Sequence, residues 1–330
     1  MNFSYRIYCK LQYLFQRYIN KPDLSLIEHI KDPQKASDVI FKHLISDVPC
    51  MIARYGATEL YCLSNYLGVK KGYSIKTISE FIFQNAEPWW WMQNRLYNMR
   101  NNAGFFPLEI KLIEKYCELL LADTEYLDVL ACWLSKENLL SSKLAKVEKI
   151  FLPLLEPYYS EQPWTRAFEG KKVLVVHPFA NQIKRQYEVN RDKLFRNPLI
   201  LPAFELKVLP AIQSLGGESN GFATWFEALN YMKNEIDKID YDISIIGCGA
   251  YGFHLAAHVK RSGKKAIHMG GATQLLFGIK GNRWEDPMYG VREWDLPYGF
   301  YTNIFNEYWT KPGEEGRPKN AESVEGACYW

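Results

Sequence analysis

Between Lys171 and Gly271 short apolar runs alternate with amphipathic stretches. "KKVLVVHPF", "FELKVLPAI", "DISIIGCG" and "KKAIHMGG" are the apolar runs, and "NQIKRQYEVNRDKLF", "FATWFEALNYMKNEIDKI" and "YGFHLAAHVKRSG" separate them at helical period. Consecutive apolar residues in a strand mean burial on both faces, and strands joined through helices pair parallel. The expected class is α/β, a mostly parallel sheet flanked by helices. With 330 residues, 48% of them apolar, the chain can bury such a sheet on both sides. The turns leaving the carboxyl ends of parallel strands then share one edge, where ligands of open α/β sheets sit.

Three glycine turns fall at that edge. In "GCGAYG", Gly247, Gly249 and Gly252 match GxGxxG between a strand and a helix, a context suited to an anion facing helix N–H groups. A dinucleotide site also needs an acid about 20 residues on, where this chain offers His268. Glycines that only permit close helix–strand packing are the other reading. "GGATQLLFG" opens a second expected helix, with Gly270 and Gly271 at its mouth and Thr273 and Gln274 in its first turn. The third turn, "ARYGATEL", follows an apolar strand at Cys50–Arg54 and precedes a helix at Thr58–Leu67. It sets Arg54 and Glu59 on either side of Gly56. Glu59 suits a divalent ion or ligand hydroxyls, and equally a helix-start glutamate favoured by the macrodipole. "VVHPFANQIKRQY" ends a strand on His177, with Asn181 as a helix cap and Lys184, Arg185 and Arg191 beyond it. His177 reads as a general base, a phosphate donor or a buried histidine bonded to backbone.

The rest of the chain is helical in pattern. "MNFSYRIYCKLQYLFQRYIN" spaces Phe3, Ile7, Leu11, Leu14 and Tyr18 as one side of a helix, with Arg6, Lys10 and Arg17 interleaved. Such a helix packs on the domain or a partner subunit, or rests on a membrane surface. A second helix after Pro22 is expected to break or kink near Pro33. Residues 74–168 read as a helical insertion with short strand candidates at "LDVLACW" and "KIFLPLL". Trp89, Trp90 and Trp91 form a cluster suited to a core, an interface or stacking on a sugar or base. The expected organisation is a helical extension over 1–48, one domain over 49–310, and a tail over 311–330 that docks back through Tyr329 and Trp330.

Composition excludes several classes. Forty basic against 37 acidic residues leave a net charge of +3, which does not suit binding a duplex nucleic acid by broad phosphate neutralisation. Seven scattered cysteines without CxxC spacing encode neither a disulfide framework nor a zinc cluster. No apolar run approaches the roughly 18 residues that span a bilayer, and no signal-peptide pattern opens the chain, so a soluble cytoplasmic protein is expected. The pair His254 and His258 lacks the glutamate of an HExxH metal site.

"IARYGATEL", "VLVVHPF", "IIGCGAYGFHLAAHVKRSGKKAIHMGGATQLLFGIKG" and the closing "EGACYW" together resemble the GT-D-type glycosyltransferases and their relatives in bacterial glycan gene clusters. The resemblance runs from about Cys50 to the C-terminus. It implies a Rossmann-like single catalytic domain that takes a nucleotide-sugar donor, commonly a UDP-sugar. The sugar goes to a glycan or lipid-linked glycan acceptor in surface polysaccharide synthesis, at the inner face of the plasma membrane. In that family an Arg-aromatic-Gly followed by Asp-x-Glu serves metal and donor. The matching positions are Arg54, Tyr55, Gly56, Ala57, Thr58 and Glu59, so Ala57 stands where the motif has aspartate. Manganese or magnesium held by Glu59 is one expectation. Metal-free stabilisation by Arg54, Lys184 and helix N-termini is another, and loss of activity in this branch is a third. Donor contacts are expected further from Gly247, Gly249, Tyr251, Gly252, His268, Gly270, Gly271 and Gln274. Glu59 and His177 are the candidate bases.

Overall fold

Seven parallel strands form one sheet in the computed structural model, which describes residues 3–19, 25–313 and 329. They are β1 (Cys50–Ala53), β2 (Val129–Cys132), β3 (Glu148–Phe151), β4 (Lys172–His177), β5 (Glu205–Pro210), β6 (Ile243–Ile246) and β7 (Lys265–His268). Their order is β3-β2-β1-β7-β6-β4-β5, and every pairing is parallel. The central strands β1, β2 and β6 are buried at all four positions, as continuous apolar runs require. The expected α/β class is the observed one.

Helices cover both faces. Ala57–Lys71, Ile110–Asp123, Trp225–Asp237 and Tyr251–Arg261 pack on one face around Leu63, Tyr116, Leu229 and Leu255. Pro33–Ile45 and Ala180–Asn190 pack on the other around Ile40, Trp164, Ile183 and Phe277. The chain leaving β4 therefore goes to one face and that leaving β6 to the opposite one. The same divergence separates β1 from β7, whose exit helix Thr273–Leu276 joins the second face. Such divergence between neighbouring strands opens a crevice at their carboxyl ends. The exits of β6 and β7 diverge in the same way, so the openings run together along the edge from β4 to β1.

Several expectations are corrected. Residues 74–168 are not a helical insertion, because β2 and β3 come from them and extend the sheet beyond β1. Pro33 starts a helix instead of breaking one. It sits at the first turn of Pro33–Ile45 behind the N-cap Asp32, whose carboxylate accepts from the Lys35 amide, where a missing N–H costs nothing. That helix buries Ala36, Ile40 and Leu44 against the sheet, so the segment 1–48 is partly core. Asn181 is not the cap of its helix; Phe179 holds that position without a side-chain bond. The helix after Gly270 and Gly271 is only a 3-10 turn and four α-helical residues.

The tryptophan cluster seats the N-terminal helix Phe3–Tyr18. Tyr5 stacks on Trp90 at 4.3 Å, Tyr8 meets Trp89 edge-on at 5.4 Å, and Gln12 donates to the Phe81 carbonyl. The packed side of the helix is thus not the stripe of Ile7, Leu11, Leu14 and Tyr18 read from the sequence. The tail residues 314–328 and Trp330 lie outside the described residues, as do Met1, Asn2 and 20–24.

Candidate functional site

A cavity of about 420 Å³ opens at the carboxyl ends of β1, β4, β6 and β7. Arg54, Tyr55, Gly56, Thr58 and Glu59 line it from the first turn, and His177 from the end of β4. Gly247, Gly249 and Tyr251 come from the second turn, and His268, Gly270, Gly271 and Gln274 from the third. Lys184 and Gly252 are not among the lining residues. Lys184 lies exposed on its helix, 3.9 Å from Glu188. Gly252 is occupied with packing, since a Cβ there would fall 2.1 Å from His268 Cε1.

Close approach explains the glycines at the centre. A Cβ on Gly247 would lie 2.6 Å from the Gly270 carbonyl and from Thr273 Oγ1, and 2.7 Å from His177 Cδ2. Gly270 has φ +64, and a Cβ on it would lie 2.8 Å from an Arg54 guanidinium nitrogen. The two turns and Arg54 are therefore in contact. Gly249 differs: its φ is +57 and nothing stands within 4 Å of a Cβ placed on it, so its backbone borders open space. Gly249 and Gly252 thus match the second and third glycines of a GxGxxG turn, open backbone approach and helix–strand contact, while Gly247 is required by close packing.

Arg54 is held by its neighbours. Its Nη1 donates to the Tyr55 carbonyl at 2.9 Å, and its guanidinium lies 5.5 Å from the Trp133 ring. Trp133 Nε1 donates to the same carbonyl at 2.9 Å, tying the loop after β2 to the first turn. The Tyr55 side chain is structural. It is fully buried, stacks on Phe253 and shares a hydrogen bond with Thr124, and burial pushes its phenol well above the ordinary range. Tyr251 likewise bonds Ser214 at 2.8 Å and stacks on Trp225. The Glu59 carboxylate folds back over its own turn, within 1.9 Å of where a Gly56 Cβ would stand.

The two histidines carry their protons on opposite nitrogens. His177 Nδ1 accepts from the Phe179 amide at 3.0 Å, and burial lowers its pKa to about 3, so the neutral ring keeps its proton on Nε2. It offers a hydrogen bond and not a lone pair on that nitrogen. Of the three readings of His177, the structure shows the buried histidine bonded to backbone, and this tautomer leaves an N–H rather than a base's lone pair on Nε2. His268 Nδ1 lies 3.1 Å from the Ile246 carbonyl, which only accepts, and burial and then the Arg54 charge lower its pKa to about 3. Its Nε2 is therefore the lone pair.

Several residues of the site escaped sequence reasoning. Glu137 does not line the cavity but lies fully buried behind it, where the Trp133 amide donates to its Oε1 at 3.3 Å. Its Oε2 has no hydrogen-bond partner, and burial pushes the carboxyl up to about 7 against the Trp133 and Leu134 amides, the Cys132 thiol and the Arg54 charge. Arg283, Tyr289, Glu293 and Trp294 close the far wall. Only a cluster of aromatics and arginine in "NRWEDPMYGVREW" signals them. Tyr329 also lies on the cavity: its ring covers Gly271, 2.0 Å from where a Cβ would be, and its hydroxyl accepts from Arg283 at 3.3 Å. Its carbonyl accepts from Gln274 at 3.2 Å. The Gly271 turn is thus screened by the chain's own tail, whereas the Gly249 turn is open.

The charged lining consists of Arg54, Arg283, Glu59 and Glu293. Among the described residues no group of three or more His, Cys, Asp or Glu converges as a metal site. With alanine at position 57, Glu59 is the one carboxylate of that turn, and the donor set does not make a protein-only cage for manganese or magnesium. His258 pairs with Asp237 and His254 with Asp123, so these two histidines do not share an ion. Comparisons of the chain with protein-family models, curated proteins and solved structures give no match. Among the described residues no helix is long and apolar enough to cross a membrane.

Proposed function

We propose that the cavity binds a nucleotide-activated sugar through its diphosphate and that the protein transfers the sugar to a glycan or lipid-linked glycan acceptor. One observation carries the reading: the turns at Gly56, Gly247–Gly249 and Gly270–Gly271 meet on one cavity with Arg54 between them. Turn amides, a guanidinium and a neutral imidazole N–H suit the oxygens of a diphosphate. The aromatic walls Tyr116, Trp133 and Phe253 suit the flat faces of a base or a sugar.

In the reaction, the bond from the anomeric carbon to the diphosphate oxygen breaks and a bond to an acceptor oxygen forms. The acceptor hydroxyl gives up its proton, and negative charge grows on the departing nucleoside diphosphate. Arg54, Arg283 and the neutral His177 ring line the cavity, and their N–H groups suit that charge. Glu59 takes the base role left open by the His177 tautomer. No step runs through a metal ion.

The test is thermal stabilisation by UDP and by other nucleoside diphosphates, with and without manganese. Arg54→Ala abolishes the shift if the reading holds; stabilisation by no nucleotide refutes it. A second reading, a NAD- or S-adenosylmethionine-dependent enzyme, draws on the roles of Gly249 and Gly252 in "GCGAYG". It lacks the ribose-binding acid after β7, where His268 stands. Stabilisation by NAD or S-adenosylmethionine in place of UDP selects it.

A further inference from the structure

The N-terminal helix carries two apolar sides and packs only one. Tyr5, Tyr8, Gln12, Phe15 and Gln16 meet Trp90, Trp89, Phe81, Phe83 and Asn85. Ile7, Leu11, Leu14 and Tyr18 stay 46%, 45%, 39% and 70% exposed. At about 100° per residue these four fall within roughly 60° of arc, some ~130° around the helix from the packed side. A helix that needed only its seat would carry polar residues there.

The stripe has distinct flanks. On one lie Arg6, Lys10 and Arg17, and no Asp or Glu occurs before Asp23. On the other lie Tyr8 and Phe15, which touch Tyr73 and Phe83. Those two residues are themselves 70% and 49% exposed, and they widen the apolar surface. Apolar residues beside unopposed basic ones match a surface of anionic headgroups over hydrocarbon. A second copy of the chain is a poorer occupant, because an antiparallel two-fold contact would bring the basic strip against itself and a parallel one would set it along the Tyr8 and Phe15 flank. At 16 residues the helix is about 24 Å long, which suits lying in the plane of the headgroups.

We propose that this face seats the protein on an anionic phospholipid bilayer, with the helix flat in the interface. The proposal is independent of what the cavity binds. The test is co-sedimentation of the full-length protein with vesicles of phosphatidylcholine, alone or mixed with phosphatidylglycerol. Wild type binds the mixed vesicles at low salt and much less the neutral ones. Replacing the three basic residues (Arg6→Gln, Lys10→Gln, Arg17→Gln) lowers partitioning on the order of a hundredfold. Leu11→Glu with Leu14→Glu lowers it at least about tenfold. All five side chains are exposed, and melting curves check that each variant stays folded. Absence of binding to the mixed vesicles overturns the proposal, as does equal binding to both kinds or by the folded variants. So does a dimer that the leucine variants convert to monomer without any vesicle binding.

Discussion

Replacing Glu137 by glutamine tests the electrostatics beneath the cavity floor. The carboxyl moves from an ordinary 4.5 to about 7 in the folded protein because burial disfavours its charge. Between those values the folded state holds a proton that the unfolded chain has released. Protons bound to the native state alone make stability fall as pH rises, so this group's contribution is complete below about pH 4.5 and lost through pH 7. Integrating from pH 5 to pH 8 gives a loss on the order of 2–3 kcal/mol from this one side chain. Glu137→Gln removes that loss and leaves every other titration in place, including that of Glu156, which burial pushes up to about 8. The amide keeps an oxygen for the Trp133 N–H, and any fixed offset is the same at each pH. Urea unfolding of both proteins at pH 5, 6, 7 and 8, followed by tryptophan fluorescence, gives the two curves. The variant gains on the order of 2–3 kcal/mol on wild type across the range. Parallel curves refute the assignment of a neutral, buried carboxyl below Arg54.

Further outcomes follow from the same geometry. Gly247→Ala has no room among the Gly270 carbonyl, Thr273 and His177, and costs about 1–3 kcal/mol in denaturant. Gly249→Ala meets no atom and costs only its left-handed backbone, about 1–2 kcal/mol, while narrowing the nucleotide approach. Equal nucleotide binding by folded Gly249→Ala and wild type contradicts an open phosphate turn there. His177 is neutral when folded and has a pKa near 3 against an ordinary 6.5, so the unfolded chain alone takes up its proton in acid and stability falls with pH. His177→Gln recovers about 3 kcal/mol of the loss between pH 7 and pH 4; an unchanged acid limb refutes the buried neutral ring. Tyr329→Ala uncovers Gly271, and isothermal titration then shows UDP binding several-fold tighter; equal or weaker binding argues that the ring does not screen the site.

The sheet was legible where burial forces a simple pattern. β4 carries the uninterrupted apolar run VLVV, and the shorter apolar stretches of β6 (ISII) and β7 (KAIH) stand directly ahead of glycine turns. β2 and β3 lie among helical stretches, so the sequence shows two strand candidates but not their place beyond β1. The N-terminal helix misled for a different reason. Periodicity shows that an apolar stripe exists, and only the tertiary seat of aromatic residues shows that the other side is the packed one.

The floor of the cavity was legible because left-handed turns and close approach need glycine, which marks the chain locally. Its walls were not, since Trp133 and Arg283 reach it from distant segments through packing that no local spacing records; the docking of Tyr329 was expected, but not its seat over Gly271. The two histidines show the deepest limit. A strand ending in histidine announces a titratable ring at the ligand edge, but the Phe179 amide makes His177 a donor and the Ile246 carbonyl leaves His268 a lone pair. Both rings border the cavity on either side of β6, so a ligand seated there meets one donor and one acceptor that do not exchange roles at neutral pH. A diphosphate, which only accepts, fits the His177 side and is disfavoured beside the His268 lone pair. On the proposed function, the diphosphate lies nearer the open Gly247–Gly249 turn than the Gly271 turn that Tyr329 screens, with a hydroxyl-bearing part of the ligand toward β7.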